Sequence, residues 1–105
     1  MNIADSEILK SIKEKMNELS PKAKDILYGS RARGDARKDS DWDLIIIINK
    51  ATAGFEEFKQ IAYPLYDLGL SMGQEINPII YTVNQWNSKT NTMFYHNVIK
   101  EGIVL

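Results

Sequence analysis

Two aspartates one residue apart, Asp41 and Asp43, stand immediately before the apolar run Leu44-Ile45-Ile46-Ile47-Ile48. The run is too short to cross a membrane and is rich in β-branched residues, so it is expected to be a strand buried on both faces. Alternate residues of a strand share a face, which sends the carboxylates of Asp41 and Asp43 to the same side. Two like charges held there repel unless a cation intervenes. Mg²⁺ suits the place, because it prefers oxygen ligands, keeps several waters and commonly joins one or two carboxylates to substrate phosphates. Ten residues separate Ser30 from Asp41, and Gly29-Ser30 follows a short apolar stretch, Ile26-Leu27-Tyr28. A glycine at such a strand exit lets a phosphate approach the backbone, and free amides at the helix start that follows favour anions. A metal pair and a phosphate cradle in one segment are the equipment of phosphoryl or nucleotidyl transfer.

The elements that would position these residues are legible in outline. Ile8, Leu9, Ile12, Met16 and Leu19 recur at helical spacing and predict an amphipathic helix over 6–19, with Asp5 or Ser6 as its cap and Pro21 marking its end. A first strand is expected near Asp25–Tyr28, then a helix start at GSRARG, then a second strand over Trp42–Ile48 with Trp42 facing the core opposite the aspartates. Residues 49–54 form a loop. Phe55, Phe58, Ala62, Leu65 and Leu68 mark a second long helix, kinked or divided at Pro64 and ending around Gly69 and Gly73. Glu75–Thr82 is the third strand, and Pro78, which lacks a ladder donor, puts it at an edge or a bulge. Asn84 is the expected cap of a short helix carrying Trp86, and a final helix runs over 91–101. After Gly102, Ile103-Val104-Leu105 is either a short strand or a docking end. The fold class is therefore α/β (α+β), a small mixed β-sheet with helices packed against it.

At 105 residues the chain is expected to be a single domain over 1–105. Its net charge of −1 argues against strong non-specific binding to nucleic acid, although Arg31, Arg33, Arg37 and Lys38 crowd one loop. Arg31, Arg37 and Lys38 are expected to be solvent-exposed. With no cysteine there is no disulfide framework or thiolate metal site, and the lone His96 cannot build a multi-histidine one. No targeting, membrane-spanning or lipidation segment stands out, so a cytoplasmic location is the default expectation.

The segment GSRARGDARKDSDWDL resembles the GSxARGxxxxxSDxDL signature of minimal nucleotidyltransferases in the DNA polymerase beta superfamily. It matches at Gly29, Ser30, Ala32, Arg33, Gly34, Ser40, Asp41, Asp43 and Leu44, and the tail HNVIKEGIVL resembles the ends of these small domains. The resemblance implies a nucleotidyltransferase fold and Mg²⁺-dependent attack on the α-phosphate of a nucleoside triphosphate, ATP by preference. It implies Asp41 and Asp43 as catalytic metal ligands and Gly29, Ser30, Arg33 and Ser40 as nucleotide-binding residues. Competent members of the superfamily place a third carboxylate on the strand after the long helix. Here Asn77 falls at that position, and Glu75, two residues earlier on the same face, is the catalytic candidate in its stead. The resemblance further implies an antitoxin-like role in which AMP passes to a helical HEPN-type partner protein, or self-association that completes the site. Larger relatives acting on antibiotics or RNA ends carry a second domain for which this chain has no room. The alternative is a catalytically impaired binding module that acts by complex formation, and Asn77 favours it.

Overall fold

The isoleucine run lies in the buried middle of a four-stranded sheet. A computed structural model describes residues 3–105. In chain order the elements are α1 (Ile3–Leu19), β1 (Lys24–Tyr28), α2 (Ser30–Arg33), β2 (Trp42–Ile48), α3 (Phe55–Met72), β3 (Ile76–Thr82), α4 (Val83–Asn87), α5 (Met93–Glu101) and β4 (Ile103–Val104). The strand order is β3-β2-β1-β4. β2 runs parallel to β3 and antiparallel to β1, and β1 is antiparallel to β4. A parallel pair needs a crossover, and α3 supplies it. The sheet is mixed, as the sequence pattern requires.

Side-chain alternation on β2 sorts the core into two layers. Trp42, Leu44, Ile46 and Ile48 pack against Ile8, Ile12 and Met16 of α1 and Ile61 and Leu65 of α3. Ile45 and Ile47 face the other way, onto Trp86 of α4 and Val98 of α5. β2 is thus covered on both faces, which explains its unbroken apolar composition. Pro78 lies on the edge strand β3, where a missing N–H costs least. The tail is a strand, since Ile103 and Val104 pair with Leu27 and Ile26.

Three details differ from the sequence expectation. α1 begins at Ile3, so Asp5 and Ser6 lie in its first turn instead of capping it. α3 continues through Pro64 as one helix; its ends are held by packing, and only one backbone bond is lost. Thr82, not Asn84, caps α4: its Oγ1 accepts from Gln85 N at 3.0 Å while Gln85 Oε1 accepts from Thr82 N at 2.9 Å. The extended backbone at the end of β3 makes Thr82 the half-in residue that such a reciprocal cap needs. α3 ends where Gly73 adopts a left-handed conformation, while Gly69 lies within the helix against the chain leaving it. A Cβ on Gly69 would come within 2.7 Å of the Gln74 carbonyl oxygen. No helix among the described residues is long and apolar enough to cross a membrane.

One carboxylate pays for its place in the sheet. Asp25 Oδ1 is buried without a hydrogen-bond partner, and burial raises the Asp25 pKa to about 6. An acid whose pKa is raised on folding destabilises the native state when ionised. That cost is absent below about pH 4, grows as the pH rises to about 6, and is complete above it. Solvent screening of this half-buried group limits the cost to about 1 kcal/mol. Asp25→Asn is therefore expected to stabilise the protein by about 1 kcal/mol at pH 7.5 and by almost nothing at pH 4, as read by urea unfolding at the two pH values.

Candidate active site

The site forms where β1, β2 and β3 end together beside α2. Asp43 is the second residue of β2 and pairs across the sheet with Tyr28 of β1 and Asn77 of β3. Asp41 precedes β2 and has no ladder partner of its own. The Asn77 amide sits between the two carboxylates: its Nδ2 donates to Asp41 Oδ2 at 2.9 Å, and its hydrogen bond to Asp43 lowers that group's pKa. The Asp43 pKa is nevertheless raised from its ordinary value, through burial first, with the Asp41 charge adding to the shift and the Arg33 charge opposing it. Glu75 leans onto the same cluster. Its pKa is raised by the Asp41 charge, then by a hydrogen bond with Asp41, then by slight burial and by Asp43. The Asp41–Asp43 pair expected from strand alternation is assembled, and Glu75 faces it.

Gly29 carries the chain from β1 into α2 with φ 75° and ψ −157°. It occupies the N-cap position, and Ser30 is the first helical residue. A Cβ on Gly29 would lie 2.6 Å from Asp43 Oδ2. The glycine therefore does two things: it adopts a backbone conformation closed to most side chains, and it lets the carboxylate pack against the turn. α2 is only one turn long, so its dipole is small and the turn's close approach to Asp43 matters more.

Arg33 is 43% exposed and pairs with Asp35 at 3.3 Å and Glu101 of α5 at 3.6 Å. Those partners raise its pKa, the Asp35 hydrogen bond foremost. Ser40 closes the loop before β2, its Oγ accepting from Arg37 N at 2.8 Å. Arg31 corrects the sequence expectation of a solvated side chain: its side chain is buried, ion-paired to Asp5 at 3.3 Å, with Cζ over the Trp42 ring 4.5 Å from its centroid. Tyr28 was absent from the sequence-derived set. Burial raises its pKa first, followed by the charge of Asp43 opposite it and by Tyr81. The available signal was its place just before Gly29, on the face β1 shares with the aspartates. Tyr28 meets Phe94 edge-on at 5.8 Å. A cavity of about 210 Å³ opens there, lined by Tyr28, Gly29, Arg33, Phe94, Asn97 and Glu101 among others.

Among the described residues no group of three or more histidine, cysteine, aspartate or glutamate side chains is set to cage a metal ion. The donor set is two carboxylates bridged by a carboxamide, all oxygen-bearing, with a charge that Asn77 and Arg33 offset only in part. Such a set fits a hard divalent cation that retains waters and takes its remaining ligands from phosphate.

Residues 10–105 match the family model described as polymerase beta, nucleotidyltransferase. The chain is also 38% identical over 101 residues to a Methanocaldococcus jannaschii protein named "Putative protein adenylyltransferase", a match spanning 91% of this chain and 95% of that one. This chain belongs to the polymerase beta nucleotidyltransferase family. It is a minimal member, with a nucleotidyltransferase fold built on the mixed sheet.

Gly29→Ala is expected to cost about 1–3 kcal/mol in urea unfolding, from backbone strain at positive φ together with displacement of Asp43. In an Asp43→Ala background the same substitution is expected to cost measurably less, because only the backbone strain remains. An equal cost in both backgrounds would remove the contact with Asp43 from the account.

Proposed function

We propose that the protein transfers AMP from ATP, in a Mg²⁺-dependent reaction, to an acceptor hydroxyl on another polypeptide. That polypeptide is a helical HEPN-type partner protein or a second copy of the chain, and the role is antitoxin-like. The observation that carries the reading is the convergence of Asp41, Asp43 and Glu75 with the Gly29 turn at one end of the sheet. The relative's printed name, a protein adenylyltransferase, supports a protein acceptor.

In this reading the Gly29–Ser30 turn receives the triphosphate, and Arg33 leaves its exposed pairs with Asp35 and Glu101 to meet phosphate oxygens. Exposed pairs of this kind are weak and present little barrier to exchange. Asp41 and Asp43 would hold the cation, which when bound supplies positive charge to the phosphate oxygens and to the departing pyrophosphate. The acceptor oxygen bonds to the α-phosphorus as the bond to the β-phosphate bridging oxygen breaks. The acceptor's proton passes to the Glu75 carboxylate, which lies beside Asp41 and is open to solvent. Asn77 carries no charge and accepts no proton at neutral pH, so it orients the carboxylates rather than serving as the base.

One observation favours a second reading. Asn77 stands beside Asp43 in the register of β2 and β3, where a third acid would complete the metal site. On that basis the alternative is an impaired transferase that binds its partner without modifying it.

Incubation with ATP labelled at the α-phosphate, Mg²⁺ and candidate partner proteins separates the two. The transferase reading expects label on the acceptor, reduced by about 100-fold or more in the Asp41→Ala/Asp43→Ala double variant. The impaired-module reading expects no label with the wild-type chain and its appearance with Asn77→Asp. Labelling that survives the double variant would refute the assignment of the aspartates.

A further inference from the structure

The two aspartates are held by different means. Asp43 is fixed by the sheet, between Tyr28 and Asn77. Asp41 lies one residue before β2, where no ladder sets its backbone. What lies on either side of it converges on one side chain. The Arg31 side chain is only 5% exposed, and a guanidinium is seldom so deeply buried unless its edges are paired. Its Nε and Nη2 donate to the Ser40 carbonyl at 3.3 and 2.9 Å, and Nη2 also reaches the Lys38 carbonyl at 3.3 Å. Nη1 meets Asp5 Oδ1 of α1 at 3.3 Å. The guanidinium lies over the Trp42 ring, with Cζ 4.5 Å from its centroid. Trp42 is in turn tied to the chain leaving α3, donating from its backbone N to the Glu75 carbonyl at 2.8 Å and from Nε1 to Gln74 Oε1 at 3.0 Å.

The residue before Asp41 and the residue after it are therefore gripped by the same cation, which is anchored on a helix remote in sequence. Only a planar fork can satisfy two carbonyls and a carboxylate while stacking on an indole; an ammonium cannot. We propose that Arg31 is a positioning residue that sets Asp41 opposite Asp43 and so determines the affinity of the pair for a divalent cation. The proposal rests on reading Asp41 and Asp43 as a metal pair, and it adds a residue that touches neither cation nor substrate.

Charge and position predict opposite results, which makes the test clean. Removing a nearby positive charge tightens cation binding if electrostatics alone acts, whereas releasing Asp41 weakens it. Mn²⁺ binding is titrated by electron paramagnetic resonance on wild type, Arg31→Met, Arg31→Lys and Asp41→Asn, each verified as folded by circular dichroism. The expectation is a loss of about tenfold or more in Arg31→Met and a smaller loss, about threefold, in Arg31→Lys, which keeps the charge without the fork. If Arg31→Met does not fold, Arg31→Lys decides by the same sign. Affinity equal to or tighter than wild type in the folded Arg31 variants, with Asp41→Asn impaired, overturns the positioning role alone. A wild type that binds no Mn²⁺, or binding untouched by Asp41→Asn, overturns the metal pair and this proposal with it.

Discussion

The repulsion between Asp41 and Asp43 is the constraint around which this small fold is arranged. β2 is buried on both faces and fixes Asp43 in the sheet, while Asp41, one residue before the strand, is brought beside it with the Asn77 amide donating to its carboxylate. Burial makes the Asp43 charge costly, and the Asp41 charge makes it costlier. The surrounding structure answers with partial compensation: the Asn77 amide between the carboxylates, the charge of Arg33 nearby, and a glycine turn that lets Asp43 pack without a clash. The result is a cluster of oxygen donors whose charge is only partly offset, which in the proposed function receives a cation and phosphates.

The rest of the molecule follows from holding three strand ends level. α3 is the crossover that makes β3 parallel to β2, and the tight turn at its end brings Glu75 beside Asp41. α1 covers one face of the sheet and, through Asp5, anchors the guanidinium that braces the loop before β2. α4 and α5 cover the far half of the other face, and α5 brings Phe94 and Glu101 to the rim of the Gly29 turn. The carboxylate end of the sheet stays open, since among the described residues no element covers Asn77 and Glu75 fully. In the proposed function this is where the acceptor on another polypeptide enters.

How much of this was legible in the sequence depended on how local the determinant was. The bounds of β2 were readable to the residue, since the apolar run Leu44–Ile48 follows Asp43 and stops at Asn49-Lys50. The Asp41–Asp43 pair followed from strand alternation, and the Gly29 turn from its place at the exit of the apolar stretch Ile26–Tyr28. The cap of α4 was missed because the choice between Thr82 and Asn84 depends on where β3 stops, which is set by its pairing with β2. The burial of Arg31 was missed for a similar reason. Its partners lie 26 residues upstream and up to 11 residues downstream, and only the folded chain brings Asp5, Ser40 and Trp42 around it. Asn77 could be placed on the right face, but its seat between both carboxylates appears only with the register of β2 against β3.

The most direct test of the central claim is crystallographic: the protein grown with Mn²⁺ and an ATP analogue that cannot be cleaved between the α- and β-phosphates, with the metal located by its anomalous scattering. The account expects a Mn²⁺ peak between Asp41 and Asp43, with the analogue's phosphates seated on the Gly29–Ser30 turn. Ordered analogue with its metal and phosphates elsewhere on the molecule would contradict it.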